Sequence, residues 1–216
     1  MHNIRSLIFA LFTLCLAVKT TAGIPVVERV QADSMRTQQV VYEGRVCPLN
    51  TPALAFTKAL TGQRTFQGLS AEQVLLSWAL YPEEWKDVRM VQVKDSKVRR
   101  LLGIEGDYAR FSDFFDDEGN YLLISDQHPD IDKRLTLVAL LTKGELFTPL
   151  PPDQKPLSPI RLRMELLFNA VPWNYVPLVF FLLLAPLLFL PQTKKHTTLI
   201  ITAAISMLIL HLVVNT

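Results

Sequence analysis

His211 is the residue whose placement most invites a chemical reading. It lies in the 21 residues after Lys195, which hold no Asp, Glu, Lys or Arg, and an ionisable side chain in an apolar span is costly enough to suggest function. Imidazole there could ligate haem or relay protons. It could equally donate to a carbonyl of a neighbouring helix or sit near an interface. A second cluster, Asp113, Asp116, Asp117 and Glu118 ahead of Gly119-Asn120, brings carboxylates close together as a calcium loop requires. Its spacing lacks the alternate acids and twelfth-position Glu of an EF-hand, so a solvated acidic turn is the expected form. Tyr108, Phe111, Phe114 and Phe115 could cradle a flat cofactor, but aromatics at this density are expected in a core, as are Trp78 and Trp85.

Other chemistry is hard to place. The chain has no Cys-x-x-Cys, His-x-x-x-His, phosphate loop or Gly-x-Ser-x-Gly. Cys47 and His128 are the only soft ligands between the terminal apolar segments, too few for a zinc site. Cys47 could be a buried small residue, a reactive thiol or an intermolecular partner, and the buried form is the one expected of a free cysteine. No nucleophile–base pair points to an independent enzyme.

The elements that would position these residues follow from composition. The 216 residues allow one modest domain and a pair of apolar helices. Met1 to Ala22 reads as a secretory signal, with Arg5 as the positive start, an apolar run from Leu7 to Val18, and Thr20-Thr21-Ala22 at a cleavage point. Removing Arg5 and Lys19 leaves 20 basic against 20 acidic residues, so no basic field argues for nucleic acid. A domain is expected over 23–148, a Pro-rich linker over 149–157 and an interfacial amphipathic helix over 158–171. In that helix Ile160, Met164, Leu167 and Phe168 share a face, and Trp173 and Tyr175 would sit at headgroup level. Between Glu165 and Lys194 lie 28 residues without formal charge. A two-helix transmembrane hairpin is therefore expected at 172–191 and 197–214, joined by a cytoplasmic loop at 192–196. The fold class this predicts is mainly α with a few short strands: a small extracytoplasmic α+β domain followed by the hairpin. The signal would place the domain outside the cytoplasm.

Within the domain, residues 23–36 show no sustained period and predict an extended lead-in. Val40 to Tyr42 predicts a strand turning at Glu43-Gly44-Arg45. Asn50 or Thr51 is expected to cap a helix running to Gly62. Ser70 and Gln73 form a capping box for a second helix. Val88 to Val93 and Tyr121 to Ile124 predict strands, Asp95 or Ser96 caps a short helix ending at Leu102-Gly103, and Ile131 to Leu141 predicts a helix.

Several stretches also resemble one family in the same order. They are Gly44-Arg-Val-Cys-Pro-Leu-Asn-Thr51, Gly68-Leu-Ser-Ala-Glu-Gln-Val-Leu-Leu76, Tyr81-Pro-Glu-Glu-Trp85 and Leu101-Leu-Gly-Ile104. Tyr108-Ala-Arg-Phe-Ser-Asp-Phe-Phe-Asp116, Gly119-Asn-Tyr121, Asp130-Ile-Asp-Lys-Arg-Leu135 and Glu165-Leu-Leu-Phe-Asn169 follow. Together they resemble the extracytoplasmic segment of the fused system II cytochrome c biogenesis proteins, the CcsB/CcsA or ResB/ResC type of Bacteroides-like bacteria. The resemblance implies a part in exporting haem and attaching it to apocytochrome c. It implies as partners the membrane, apocytochrome c and a CcsA-like haem-handling membrane protein. That module's Trp-Gly-x-x-Trp-x-Trp-Asp segment is absent from these residues, and Cys47 stands where the family is expected to carry a basic residue. The expectation is thus an accessory component or split fragment that meets haem only with a partner, with His211 near a family histidine. The alternative is a generic membrane-tethered periplasmic binding or scaffold module without a haem function.

Overall fold

The aperiodic lead-in carries more structure than its sequence pattern predicts. In the computed structural model, which describes residues 19–21, 23–123, 127–171 and 176, Lys19–Thr21 (β1) pairs antiparallel with Ile24–Val26 (β2). Arg29–Met35 then forms a helix, α1. This helix is short and buries only Ala32, so it has no apolar stripe for a periodicity to report. Gln39–Tyr42 (β3) and Arg45–Pro48 (β4) follow as an antiparallel hairpin. Glu43 and Gly44 both take positive φ, 49° and 76°, and Tyr42 pairs with Arg45 across them. A two-residue loop of this kind matches strand twist, which accounts for glycine at its second position.

The helix after this hairpin, Asn50–Thr61 (α2), ends as expected at Gly62, whose φ is 72°. The left-handed conformation is what favours glycine there; a Cβ would lie 2.6 Å from Gln92 Oε1, the end of a flexible side chain that can move aside. Its start differs from expectation. Leu49 is the N-cap and no side chain caps the helix. Asn50 instead donates from Nδ2 to the buried carboxylate of Glu72 (2.7 Å), and Arg36 Nε lies 3.5 Å from the same oxygen. A carboxylate this buried needs such partners, and they outcompete a local cap.

Ala71–Leu80 (α3) is the helix around which the domain packs. Its capping box forms as the sequence predicts: Gln73 N donates to Ser70 Oγ at 3.3 Å and Ser70 N donates to Gln73 Oε1 at 3.1 Å. Eight consecutive residues, Ala71 to Trp78, are buried, which marks a central helix rather than a surface amphipathic one. Pro82–Trp85 (α4) follows at once. Val91–Gln92 (β5), Ser96–Leu101 (α5) and Tyr108–Ala109 (β6) come next, with β5 and β6 antiparallel. Asp95 caps α5 by accepting from Lys97 N at 2.7 Å. Only two residues of the Val88–Val93 stretch form a strand, because β6 offers just two residues to pair with. Tyr121 makes a single bridge to Phe115 rather than the expected strand. Pro129–Lys143 (α6) spans the helix expected over 131–141. Thr148–Pro149 (β7) adds to the free side of β3, and Pro159–Ala170 (α7) is the last described helix.

These elements make a small α+β domain, and they correct the expected fold class. No described helix is long and apolar enough to cross a membrane. The longest among them, α6, has 15 residues against roughly 20 for a bilayer core, and it carries Asp130, Asp132, Lys133, Arg134 and Lys143. No two-helix transmembrane hairpin is shown, and the segments 172–191 and 197–214 that predicted it lie outside the described residues. The chain divides into two compact units, Met1–Leu166 and Leu167–Thr216.

In the first unit the core is aromatic at its centre. Trp78 meets Phe56 edge-on at 5.9 Å, Trp85 at 6.0 Å and Phe111 at 6.4 Å. Phe111 continues to Phe115 and Phe115 to Tyr121. Each such side chain contributes roughly 1.5–3 kcal/mol by leaving water. Three polar contacts then fix the lead-in onto this core. Val27 N donates to Ser77 Oγ (2.9 Å), Gln73 Nε2 donates to Val27 O (3.0 Å), and Trp85 Nε1 donates to Pro25 O (2.9 Å).

Candidate functional site

The residues that carry the family resemblance do not converge on a reaction centre, and most of them tie one element to the next. The clearest polar cluster forms where the β3–β4 hairpin meets α7. The turn at Glu43-Gly44 sends Arg45 out at the start of β4, and Thr51 stands on the first turn of α2. Arg45 Nη1 lies 2.9 Å from Glu165 Oε1, and Thr51 Oγ1 donates to the same oxygen at 2.8 Å. Burial works to lower the Arg45 pKa, but the hydrogen bond and charge of Glu165 outweigh it and raise it. Nearby on β4, Cys47 is fully buried and its thiol is pushed up to about 11 by burial, against the pull of Arg45. A buried thiol held protonated is a poor nucleophile at neutral pH. The buried form expected for Cys47 is the one observed. The cluster is suited to holding α7 against the domain, not to catalysis.

The acidic stretch proves to be a self-contained turn. Asp116 accepts from Glu118 N (3.0 Å), Asn120 N (2.7 Å) and Asn120 Nδ2 (3.0 Å). Those bonds, the Asn120 side chain's first, hold its carboxyl below the usual range. Asp113 accepts from Arg110 N at 2.8 Å. Both carboxylates thus serve their own loop. Among the described residues no group of three or more His, Cys, Asp or Glu could hold a metal. Phe114 is fully buried, and the ring contacts of Phe111 and Phe115 belong to the core, so the aromatic run forms no cofactor cleft. Tyr108 spends its hydroxyl on Thr61 O at 3.2 Å.

Two features escaped the sequence reading. Tyr121 donates to Asp132 Oδ1 at 2.5 Å, and burial together with that carboxylate raises its pKa strongly. The second is a cavity of about 230 Å³ at the start of α6, lined by Lys94, Asp95, His128, Asp130, Ile131 and Arg134 among others. The run from His128 to Arg134 was its sequence signal, since Lys94 and Asp95 are remote in the chain. Arg134 already donates to Gln92 O. The space falls below the roughly 300 Å³ at which small-molecule pockets begin. Its lining is charged rather than apolar, so it does not fit haem. His211 lies outside the described residues.

No family model matches the chain. Protein NrfI of Wolinella succinogenes is 34% identical over 130 residues. The matched region is 51% of this chain and 14% of that protein, so the chain spans only a small part of the relative's length.

Proposed function

We propose that this chain acts in cytochrome c biogenesis as an accessory, extracytoplasmic component rather than a catalyst. The observation that carries the reading is the ordered set of system II residues from Gly44 to Asn169, supported by the similarity to Protein NrfI over 130 residues. The structure gives those residues a physical purpose. Ser70 and Gln73 start α3, Trp85 fixes the lead-in, Asp113 and Asp116 close the loop before Tyr121, and Arg45 holds Glu165. A fold does not by itself set a task, so the reading rests on the matched residues and on the similarity to Protein NrfI. The signal-like start supports export of the domain to the periplasm. In this reading the chain positions an apocytochrome or a separate CcsA-like haem-handling protein.

The test is deletion of the chain in its native host, with covalent haem on c-type cytochromes read by in-gel peroxidase stain. The expected result is a loss of stained cytochrome restored by the intact chain. Undiminished staining in the deletion strain refutes the proposal. Purification from the native host should recover a haem-handling protein together with this chain, and the haem spectrum should follow that partner.

A further inference from the structure

α7 presents its apolar stripe outward. At 100° per residue, Ile160, Met164, Leu167 and Phe168 fall within an arc of about 100°. They are 75%, 61%, 62% and 59% exposed, and α7 buries none of its residues. The half-buried positions in the first unit are Leu162, Glu165 and Leu166, on another side of the helix. The charges are sorted in the same way. Glu165 is the helix's only acid, it is turned from the stripe, and its charge is matched by Arg45. Arg161 and Arg163 border the stripe on its two edges, both exposed and neither in an ion pair among the described residues.

We propose that α7 lies flat on an anionic lipid surface, its four apolar side chains at the acyl boundary and Arg161 and Arg163 on lipid phosphates. This goes beyond the proposed role in cytochrome c biogenesis and does not depend on it. A helix with an apolar face edged by arginines and free of uncompensated acid is the pattern that binds in an interface. Arginine stems lie along apolar surface while their heads reach polar groups. A protein partner would have to cover the same stripe and desolvate two cations that have no counter-charge of their own. Lipid phosphate supplies that counter-charge at the required depth.

The experiment uses the full chain with Cys15→Ser and Cys47→Ala, carrying one environment-sensitive fluorophore at Met164→Cys. A control chain carries it at Val30→Cys, since Val30 is 79% exposed on α1. Both labelled chains are first required to keep the far-ultraviolet circular dichroism and melting transition of the parent. Each is then added to phosphatidylcholine vesicles with or without phosphatidylglycerol and with a nitroxide lipid as quencher. The expected result is strong quenching at 164 and little at 30. Arg161→Gln and Arg163→Gln should each weaken the quenching titration on anionic vesicles about fivefold. Quenching at 164 no greater than at 30 overturns the proposal. So does quenching that is equal on neutral vesicles and untouched by the arginine substitutions. A disulfide between two copies of the unlabelled Met164→Cys chain, formed in high yield without lipid and not lowered by anionic vesicles, overturns it in favour of a second copy as the occupant.

Discussion

Ser77→Ala should loosen the N-terminal lead-in by an amount the structure allows to be worked out. Ser77 and Val27 are 0% and 2% exposed, and Ser77 Oγ is the acceptor for Val27 N at 2.9 Å. Alanine fills nearly the same volume, so cavity cost is small and the main loss is a buried amide left without an acceptor, about 1–3 kcal/mol. Alanine regains about 0.5 kcal/mol in helix propensity, leaving a net cost of about 1–2 kcal/mol. For a chain of this size that lowers the thermal midpoint by about 2–8 °C. Trp85→Phe removes the indole donor to Pro25 O while keeping an aromatic ring in the core. Because both contacts hold the same lead-in segment, the double variant should cost less than the sum, by 0.5 kcal/mol or more. The assays are urea unfolding followed by circular dichroism and hydrogen exchange at residues 24–27. An unchanged midpoint with the Val27 amide exchanging as slowly as in the parent would refute this account of how the lead-in is held.

Alkaline pH should destabilise the domain. Burial raises Cys47 from 9.0 to about 11 and Tyr42 from 10.0 to about 12. Their contribution is therefore complete below pH 9 and lost as pH climbs from 9 to 12, on the order of 2 kcal/mol for the thiol. Cys47→Ala should remove the thiol's share, and a urea midpoint that stays flat between pH 8 and 11 contradicts this. Glu165→Gln should cost at most about 1 kcal/mol because Arg45 is half exposed, and the difference from the parent should shrink in 1 M salt. Tyr121→Phe removes the bond to Asp132 and should lower stability by about 1–2 kcal/mol, read as a shifted urea midpoint with unchanged slope.

The sequence by itself determined what is local. The capping box at Ser70-Gln73, the glycine stop at Gly62, a cap at Asp95 or Ser96 (Asp95 in the structure) and the acidic turn before Tyr121 each depend on residues within a few positions of one another. Composition alone likewise marked Cys47 and the aromatic run as core. Only the tertiary structure decided the rest. Asn50 abandons a helix cap because Glu72, 22 residues away, is buried beside it and needs a donor. Arg29–Met35 becomes helical without a stripe, and Val88–Val93 yields a two-residue strand because its partner is that short. The transmembrane hairpin rested on length and hydropathy; no described helix is long and apolar enough to cross a membrane, and 172–191 and 197–214 lie outside the described residues. Spacing predicted which residues share a face of α7. Which way that face points was settled by Glu165 reaching Arg45 and Thr51 more than a hundred residues earlier.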